Sequence, residues 1–484
     1  MFEKMEQLVK KFIAFPLVIG VIGYMLIGMS FVESIYAAAT LYFVNPVNDI
    51  NTPLILLAKI TALLVAAGVV LNFLRNVFLR LDHYLCRRHA DATIVYSDNE
   101  WGDIMVRGLK HGYLGSDDGE KKGRLDVVAH YILLFSDDIK TLKFLKTHEA
   151  ELEGKNVYVL LNQVDSGLIA SIQSIDIHYF NTYELLARDY WKKNHLFELR
   201  KEPKLRIAII GYERVGRSVF RYGYLNNIYS LSQQIEYHIW GCSASERQFL
   251  GQLPFKITED KDRVLCHEDK WQDELDLLAQ MDRVIITKES EIMEILPELL
   301  YRNPTIEIHC FNEKETDLHE IFMTSNIKTF GDPSEVLTEE KIKSDLLFRM
   351  GKLFNYDYCL RYDQKNAGPD FEEEMERAWA KLDGFKKGSN IARADHYWIE
   401  RRLELLSEQD ETEFIPEEDF LRMEHIRWSR YHLINHWEYH EERNDAIHHH
   451  NLLIPYDELR NKEAKKDGIY DPLIKTEIGK LVED

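Results

Sequence analysis

The feature that most constrains this chain is a stretch of 21 residues, 12–32, without a single charge. That length crosses a hydrocarbon core of about 30 Å as one helix. A second stretch, residues 53–74, carries only Lys59. A cleaved signal sequence has a shorter apolar core and a small-residue cleavage site. Two long spans in succession therefore predict a transmembrane hairpin over residues 1–90.

Basic residues flank the pair on one side. Lys4, Lys10 and Lys11 precede the first span; Arg75, Arg80, Arg87 and Arg88 follow the second. The loop between, around Pro46, has none, so both termini are expected in the cytoplasm of a multi-pass inner-membrane protein. Glu33 and Lys59 are the ionisable residues at membrane depth, facing either a polar partner or the interface. Gly20, Gly23 and Gly28 permit close helix packing. The external loop lacks a selectivity-filter sequence of the TVGYG kind.

Elsewhere the chain has the character of a water-exposed protein, with a mean hydropathy of -0.33. Its 484 residues carry a net charge of -21, which disfavours a nucleic-acid partner. The five cysteines form no CxxC pair, so neither a disulfide framework nor a zinc site is expected.

Beyond Arg88 short apolar runs alternate with helical stretches, the pattern of a parallel α/β sheet. Residues 92–96, 131–135 and 157–161 are predicted strands, and residues 182–194 a helix. The turn after the first strand holds Asp98 and Glu100, which would repel a phosphate. Residues 91–200 are therefore expected to form a degenerate Rossmann-like domain.

Residues 201–335 predict a second one. The strand 205–210 runs into Gly211-Tyr212-Glu213-Arg214-Val215-Gly216-Arg217, and a helix is expected from Ser218. Strand, glycine turn and helix in that order predict a cofactor site. Gly211 would make the turn, and Gly216 would let the helix pack on the strand. The ligand class expected there is NAD or another adenine or ADP-ribose type nucleotide. Glu213 replaces the glycine that lies against the pyrophosphate, and the strand 235–240 ends in Gly241-Cys242-Ser243 without a ribose-binding acid. Both features argue against NAD itself. Further strands are predicted at 283–287, 306–311 and 327–331, with a helix at 292–301.

On IIGYERVGRSV (209–219), DRVIIT (282–287) and NPTIEIHCF (303–311), residues 92–335 resemble the regulator-of-potassium-conductance, or potassium-transport nucleotide-binding, domains. The resemblance implies dimers or rings that gate a membrane partner when a ligand binds.

After a helical linker over 336–370, residues 371–484 are charged, aromatic and mainly helical. Helices are predicted at 371–382, 392–406 and 417–434. Three stretches stand out: residues 389–396; His425 and Trp428 followed by Trp437 and Tyr439; and His448 to Leu459, with Pro455 and Tyr456. They resemble the RyR domain, the repeat first named in ryanodine receptors and also found in bacterial proteins, over residues 418–473. Asn451 and His436 depart from that pattern.

The resemblance makes His425, Trp428, Trp437, Tyr439, Pro455 and Tyr456 candidate ligand-binding residues. From the residues themselves, the aromatic rings suit a flat base, and Arg427, Arg430 and Arg443 suit phosphates. The alternative is that the rings form the module's core. His448-His449-His450 is expected to be a solvated loop, because adjacent histidines diverge and no acid completes a metal site. No nucleophile elbow, P-loop or H-E-x-x-H motif occurs. The expectation is therefore not an enzyme but a homo-oligomeric, ligand-gated membrane effector sensing a cytosolic nucleotide, in bacterial defence or stress signalling. The alternative is a membrane-anchored regulatory subunit of an ion transporter.

Overall fold

The computed structural model describes residues 14–43, 46–47, 49–115, 125–163, 175–253, 259–313, 318–343, 345–410, 414–462, 469 and 471–482. Lys4, Lys10, Lys11 and residues 116–124 lie outside the described residues. The chain divides into two compact units, Met1–Ala92 and Thr93–Asp484.

In the first unit the expected single helix over 12–32 is two helices. Helix α1, Phe15–Leu26, ends before Gly28, whose φ of 97° turns the chain. Helix α2, Phe31–Thr40, then starts with a capping box. Ser30 Oγ accepts from the Glu33 amide at 3.4 Å, and Glu33 Oε2 accepts from the Ser30 amide at 3.1 Å. A short 3-10 turn, Leu41–Phe43, extends α2. The Leu17 amide donates to Tyr42 Oη at 3.2 Å, so α1 and α2 run antiparallel.

Helix α3, Pro53–Cys86, packs beside them. A Cβ on Gly20 would stand 2.9 Å from Ala38 Cβ, and one on Gly23 2.9 Å from Ile55 Cγ1. These two glycines let the helices touch, while Gly28 serves the turn. At 12 residues α1 spans about 18 Å, too short to cross a bilayer alone. Among the described residues one helix is long and apolar enough to do so, in its segment Pro53–Val70. The two-span hairpin is thereby corrected to one long apolar helix with a shorter helical pair against it. Glu33 and Lys59 are each held locally. Glu33 caps α2, and Lys59 Nζ donates to Asn51 Oδ1 at 2.8 Å and Ile50 O at 3.2 Å, fastening the segment that enters α3.

The second unit contains two parallel sheets. The first comprises β1 (Thr93–Ser97), β2 (Gly112–Leu114), β3 (His130–Leu134), β4 (Asn156–Leu160) and β5 (Asp176–Phe180), in the order β2-β1-β3-β4-β5. The second comprises β6 (Leu205–Ile210), β7 (Ile235–Trp240), β8 (Arg263–Cys266), β9 (Arg283–Ile286), β10 (Glu307–Phe311) and β11 (Ile327–Phe330), in the order β11-β10-β9-β6-β7-β8. Counted from β6, that is the 3-2-1-4-5-6 order of the dinucleotide-binding fold, and the first sheet is the same order lacking one outer strand.

Period-two alternation sends Ile207, Ile209 and Ile285 to one face of the second sheet, and Ala208, Ile210, Val284 and Ile286 to the other. The first face shares its core with Val95, Ile132 and Leu160 of the first sheet and with Ile399, Met423 and Leu433 of the C-terminal helices. Two helices make the join: α4, Thr182–Lys193, and α5, Arg214–Asn226. Trp191 Nε1 of α4 donates to Val219 O of α5 at 2.7 Å, and a Cβ on Gly223 would lie 2.5 Å from the Trp191 ring. Gly223 is thus the notch that admits Trp191.

The C-terminal part is mainly helical. Helices Asp345–Asp363, Phe371–Ala380 and Pro472–Val482 share a small core with Ala394 and Tyr397 of the helix that follows the second of them. Two more, α7 (Gly384–Gln409) and α8 (Glu417–Ile434), pack against α5; α6 is Ala244–Leu250.

Candidate functional site

Open α/β sheets bind ligands beyond the carboxyl ends of their strands, where the strand order reverses. In the first sheet that point lies between β1 and β3, and it is occupied by the chain's own acid. Asp98 accepts from the Ser136 amide at 2.8 Å, from Ser136 Oγ at 3.0 Å and from Lys140 Nζ at 3.0 Å. Asn99 Nδ2 donates to Leu134 O at 2.9 Å. Burial pushes the Asp98 carboxyl up, but these donors outweigh it and hold it below its ordinary value. A carboxylate already sits where an anionic ligand would.

In the second sheet the switch point lies between β6 and β9, and the turn after β6 is built for close approach. Gly211 has a φ of 94°, and its amide donates to Trp240 O at 3.0 Å. Thr287 Oγ1, after β9, donates to Gly211 O at 2.7 Å and to Ile210 O at 3.0 Å. A Cβ on Gly216 would stand 1.9 Å from Gly211 O, so α5 starts flush against the turn. The helix begins at Arg214, four residues before the sequence suggests, because Glu213 takes the cap position in an extended conformation. Glu213 caps without a side-chain hydrogen bond, leaving its exposed carboxylate at the helix mouth.

The seven residues from Gly211 to Arg217 therefore divide into three groups. Gly211 and Gly216 shape the backbone. Tyr212 and Val215 are buried in the shared core, with the Tyr212 ring against Phe220, so their side chains serve packing. Glu213, Arg214 and Arg217 are exposed at the mouth. Arg217 pairs with Glu246, which closes a capping box with Ser243 at the start of α6. On the opposite lip Lys288 Nζ pairs with Glu291 Oε1 at 2.6 Å. Past β7, Gly241 has a φ of 96°, and a Cβ there would stand 3.2 Å from the Tyr212 amide nitrogen. Cys242 and Cys266 stand beside that turn with their sulfurs 3.7 Å apart. The lip thus offers backbone amides, a helix start, and three cations whose acidic neighbours already engage two of them.

The C-terminal candidates converge only in part. His425 is buried; its Nε2 bonds to Ile454 O at 2.8 Å, its ring stacks on Trp428 with centroids 5.7 Å apart, and Tyr456 lies at 5.9 Å. Trp428 is half-buried and meets His432 at 4.0 Å and His450 at 5.0 Å. Trp437 is buried between Phe385 and His448, both stacked on it, and among the described residues its indole Nε1 has no hydrogen-bond partner. Tyr439 is 51% exposed, although its backbone pairs in parallel register with His450. Pro455 is half-buried, and its carbonyl accepts from the Glu458 and Leu459 amides, starting the short helix Tyr456–Lys462. Sequence reasoning missed Phe385 and His432. His432 lies seven residues from His425, on the same face of α8 as Trp428, and helical spacing could have found it.

The arginines expected to hold phosphates are engaged elsewhere. Arg427 grips Glu424 through Nε at 2.7 Å and Nη2 at 2.8 Å. Arg430 donates Nε to Asp260 Oδ2 at 2.7 Å, Nη2 to Asp262 Oδ2 at 2.7 Å and Nη1 to Tyr224 O at 2.6 Å, all fully buried. Arg443 pairs with Asp445 at 2.7 Å. Arg430 is thus a fastener between α8 and the second sheet's domain.

Among the described residues, the buried His396, Glu400 and Glu424 place possible ligand atoms within 4.8 Å of one another. Arg427 on Glu424, with Arg393 Nε 3.6 Å away, compensates these carboxylates from within the protein. The group works as an ion network between α7 and α8.

No family model and no curated protein matches this chain. Among solved structures, a dipicolinate synthase chain from Bacillus halodurans aligns with 53% of this chain and 96% of its own, at 12% identity and a TM-score of 0.22.

Proposed function

We propose that this chain is a membrane-attached sensor. A nucleotide-type ligand would bind at the carboxyl ends of β6, β7 and β9 and alter membrane permeability through an oligomer. The observation that carries this reading is the Gly211–Gly216 contact, which clears the start of α5 for a ligand's approach. The first sheet's equivalent point is filled by Asp98, so the second sheet is the favoured sensor. Glu213 at the mouth selects against a pyrophosphate seated as in a dinucleotide enzyme, and favours a ligand that presents a ribose or base edge to the turn. The function proposed is binding without turnover.

Membrane attachment is supported by the apolar segment Pro53–Val70. The arginines that follow it favour a cytoplasmic C-terminal unit in the inner membrane. With the first apolar stretch broken at Gly28, the side on which the N-terminus lies is no longer fixed by counting spans. The experiment is dye or ion release from liposomes holding the full-length protein, against a panel of NAD, ADP-ribose, ATP and cyclic nucleotides. Release with one of them is expected. Tight binding of a nucleotide without any release would overturn the effector role and favour a regulatory role beside a separate transporter.

A further inference from the structure

Two of the five cysteines are neighbours in space although 24 residues apart in sequence. Cys266 closes β8 and lies opposite Ile239 in the parallel register; Cys242 follows β7 just past the Gly241 turn. Their sulfurs are 3.7 Å apart and both are free thiols. A disulfide needs about 2.05 Å, so the sulfurs must close by roughly 1.7 Å. That movement is within reach of side-chain torsions beside a glycine turn.

The two thiols are not equivalent. Cys266 is partly exposed and Cys242 is buried. Arg247 of α6 donates Nη1 to Cys242 O at 3.0 Å and pairs through Nη2 with Glu268 at 3.1 Å, which sets a guanidinium beside the pair. The Cys242 contact, and then Arg247, hold the Cys266 thiol below its ordinary value, while the same contact and burial push Cys242 up. A partly exposed sulfur beside a cation, with a second thiol against it, is the arrangement of an attacking and a resolving cysteine.

We propose that Cys242 and Cys266 are a modification site, oxidised reversibly to a disulfide by a hydroperoxide. The Cys266 thiolate attacks the peroxide, the O–O bond breaks, and Cys266 becomes a sulfenic acid. The Cys242 sulfur then attacks the Cys266 sulfur; the S–O bond breaks and hydroxide leaves as water with the Cys242 proton. With hydrogen peroxide, two thiols lose two electrons in all and the peroxide becomes two waters. The bond would tie the ends of β7 and β8 together at the rim of the crevice.

The test uses the full-length protein in detergent, treated with hydrogen peroxide, alkylated and digested with trypsin without reduction. The expected product is the peptide VLCHEDK (264–270) joined to the peptide 222–247, lighter by two hydrogens and separated again by dithiothreitol. Free-thiol signals of Cys242 and Cys266 should fall in step, ahead of buried Cys310, whose thiol burial pushes up to about 12. In Cys242→Ser the joined peptide should vanish and a dimedone adduct should appear on Cys266. If Cys266 is oxidised while Cys242 remains alkylatable, or if both remain alkylatable when methionines are already oxidised, the proposal fails. Neither outcome depends on nucleotide binding.

Discussion

Gly216 has no room for a side chain: its Cβ would fall 1.9 Å from the carbonyl oxygen of Gly211. The obstacle is backbone held by Thr287 from the neighbouring strand, so it cannot swing away. Gly216→Ala should lower stability by about 2–4 kcal/mol or prevent folding, read from the thermal midpoint in detergent. An unchanged midpoint would mean that α5 can lift off the turn. A bulky residue at Gly216 is therefore a test of folding, and Lys288→Ala, at an exposed lip position, is the cleaner test of binding.

Arg430→Met should be more damaging than its exposed counterparts. Removing the guanidinium leaves Asp260 and Asp262 buried without their cation, at about 3–5 kcal/mol. Arg430→Lys should rescue little, because one ammonium cannot reach both carboxylates and Tyr224 O. Arg443→Met, at a partly exposed pair, should shift the midpoint by less than about 1 kcal/mol. Equal losses from the two methionine variants, in urea titrations, would contradict the role given to Arg430.

Much of the sheet architecture was legible because parallel strands buried on both faces are continuous apolar runs. LRIAII and IEYHIW coincide with β6 and β7, and YILLF and RVIIT fall within one residue of β3 and β9. The edge strands β2, β5 and β8 were missed: GYL and RVLC run for only three and four residues, DIHYF opens on a charged residue and holds a histidine, and β8 alternates exposed with buried residues. The broken first span was missed because an apolar run reports length and not continuity, although Ser30-x-x-Glu33 is a capping box readable in the sequence. At the site, the glycines were legible because their spacing encodes a backbone contact. The burial of Arg430 depends on Asp260, Asp262 and Tyr224, 168 to 206 residues away, which no local pattern reveals.

Stability should fall in mild acid. Burial holds His238 and His309 at about 4 in the folded state, against an ordinary 6.5. Between those values the unfolded chain takes up protons that the folded chain refuses. Stability is therefore full above pH 6.5 and declines as the pH drops toward 4, by up to about 3 kcal/mol for each histidine. His309→Gln should flatten part of that slope in thermal melts from pH 7.5 to 5. A slope unaltered in the variant would mean that His309 is protonated in the fold.

The turn at Gly28 separates a broken helix pair from a single crossing. Met29→Cys, in a background with all five native cysteines replaced by serine, should react with a membrane-impermeant maleimide in proteoliposomes or in inverted ones, because Met29 lies beside a polar turn capped by Ser30 and Glu33. A residue deep in one continuous helix would react from neither side. Inertness from both would restore the single span.

Whether the second sheet holds the ligand is decided by thermal shift of the detergent-solubilised protein with the nucleotide panel, run on the wild type, Glu213→Gln and Lys288→Ala. A ligand that binds the folded state raises the midpoint by mass action, worth about 2.7 kcal/mol at a hundredfold excess over Kd. A shift is expected with at least one nucleotide, larger for phosphate-bearing ligands in Glu213→Gln and smaller in Lys288→Ala. Shifts that ignore both substitutions and vanish instead in Trp428→Ala would move sensing to the aromatic cluster and contradict the assignment to the second sheet.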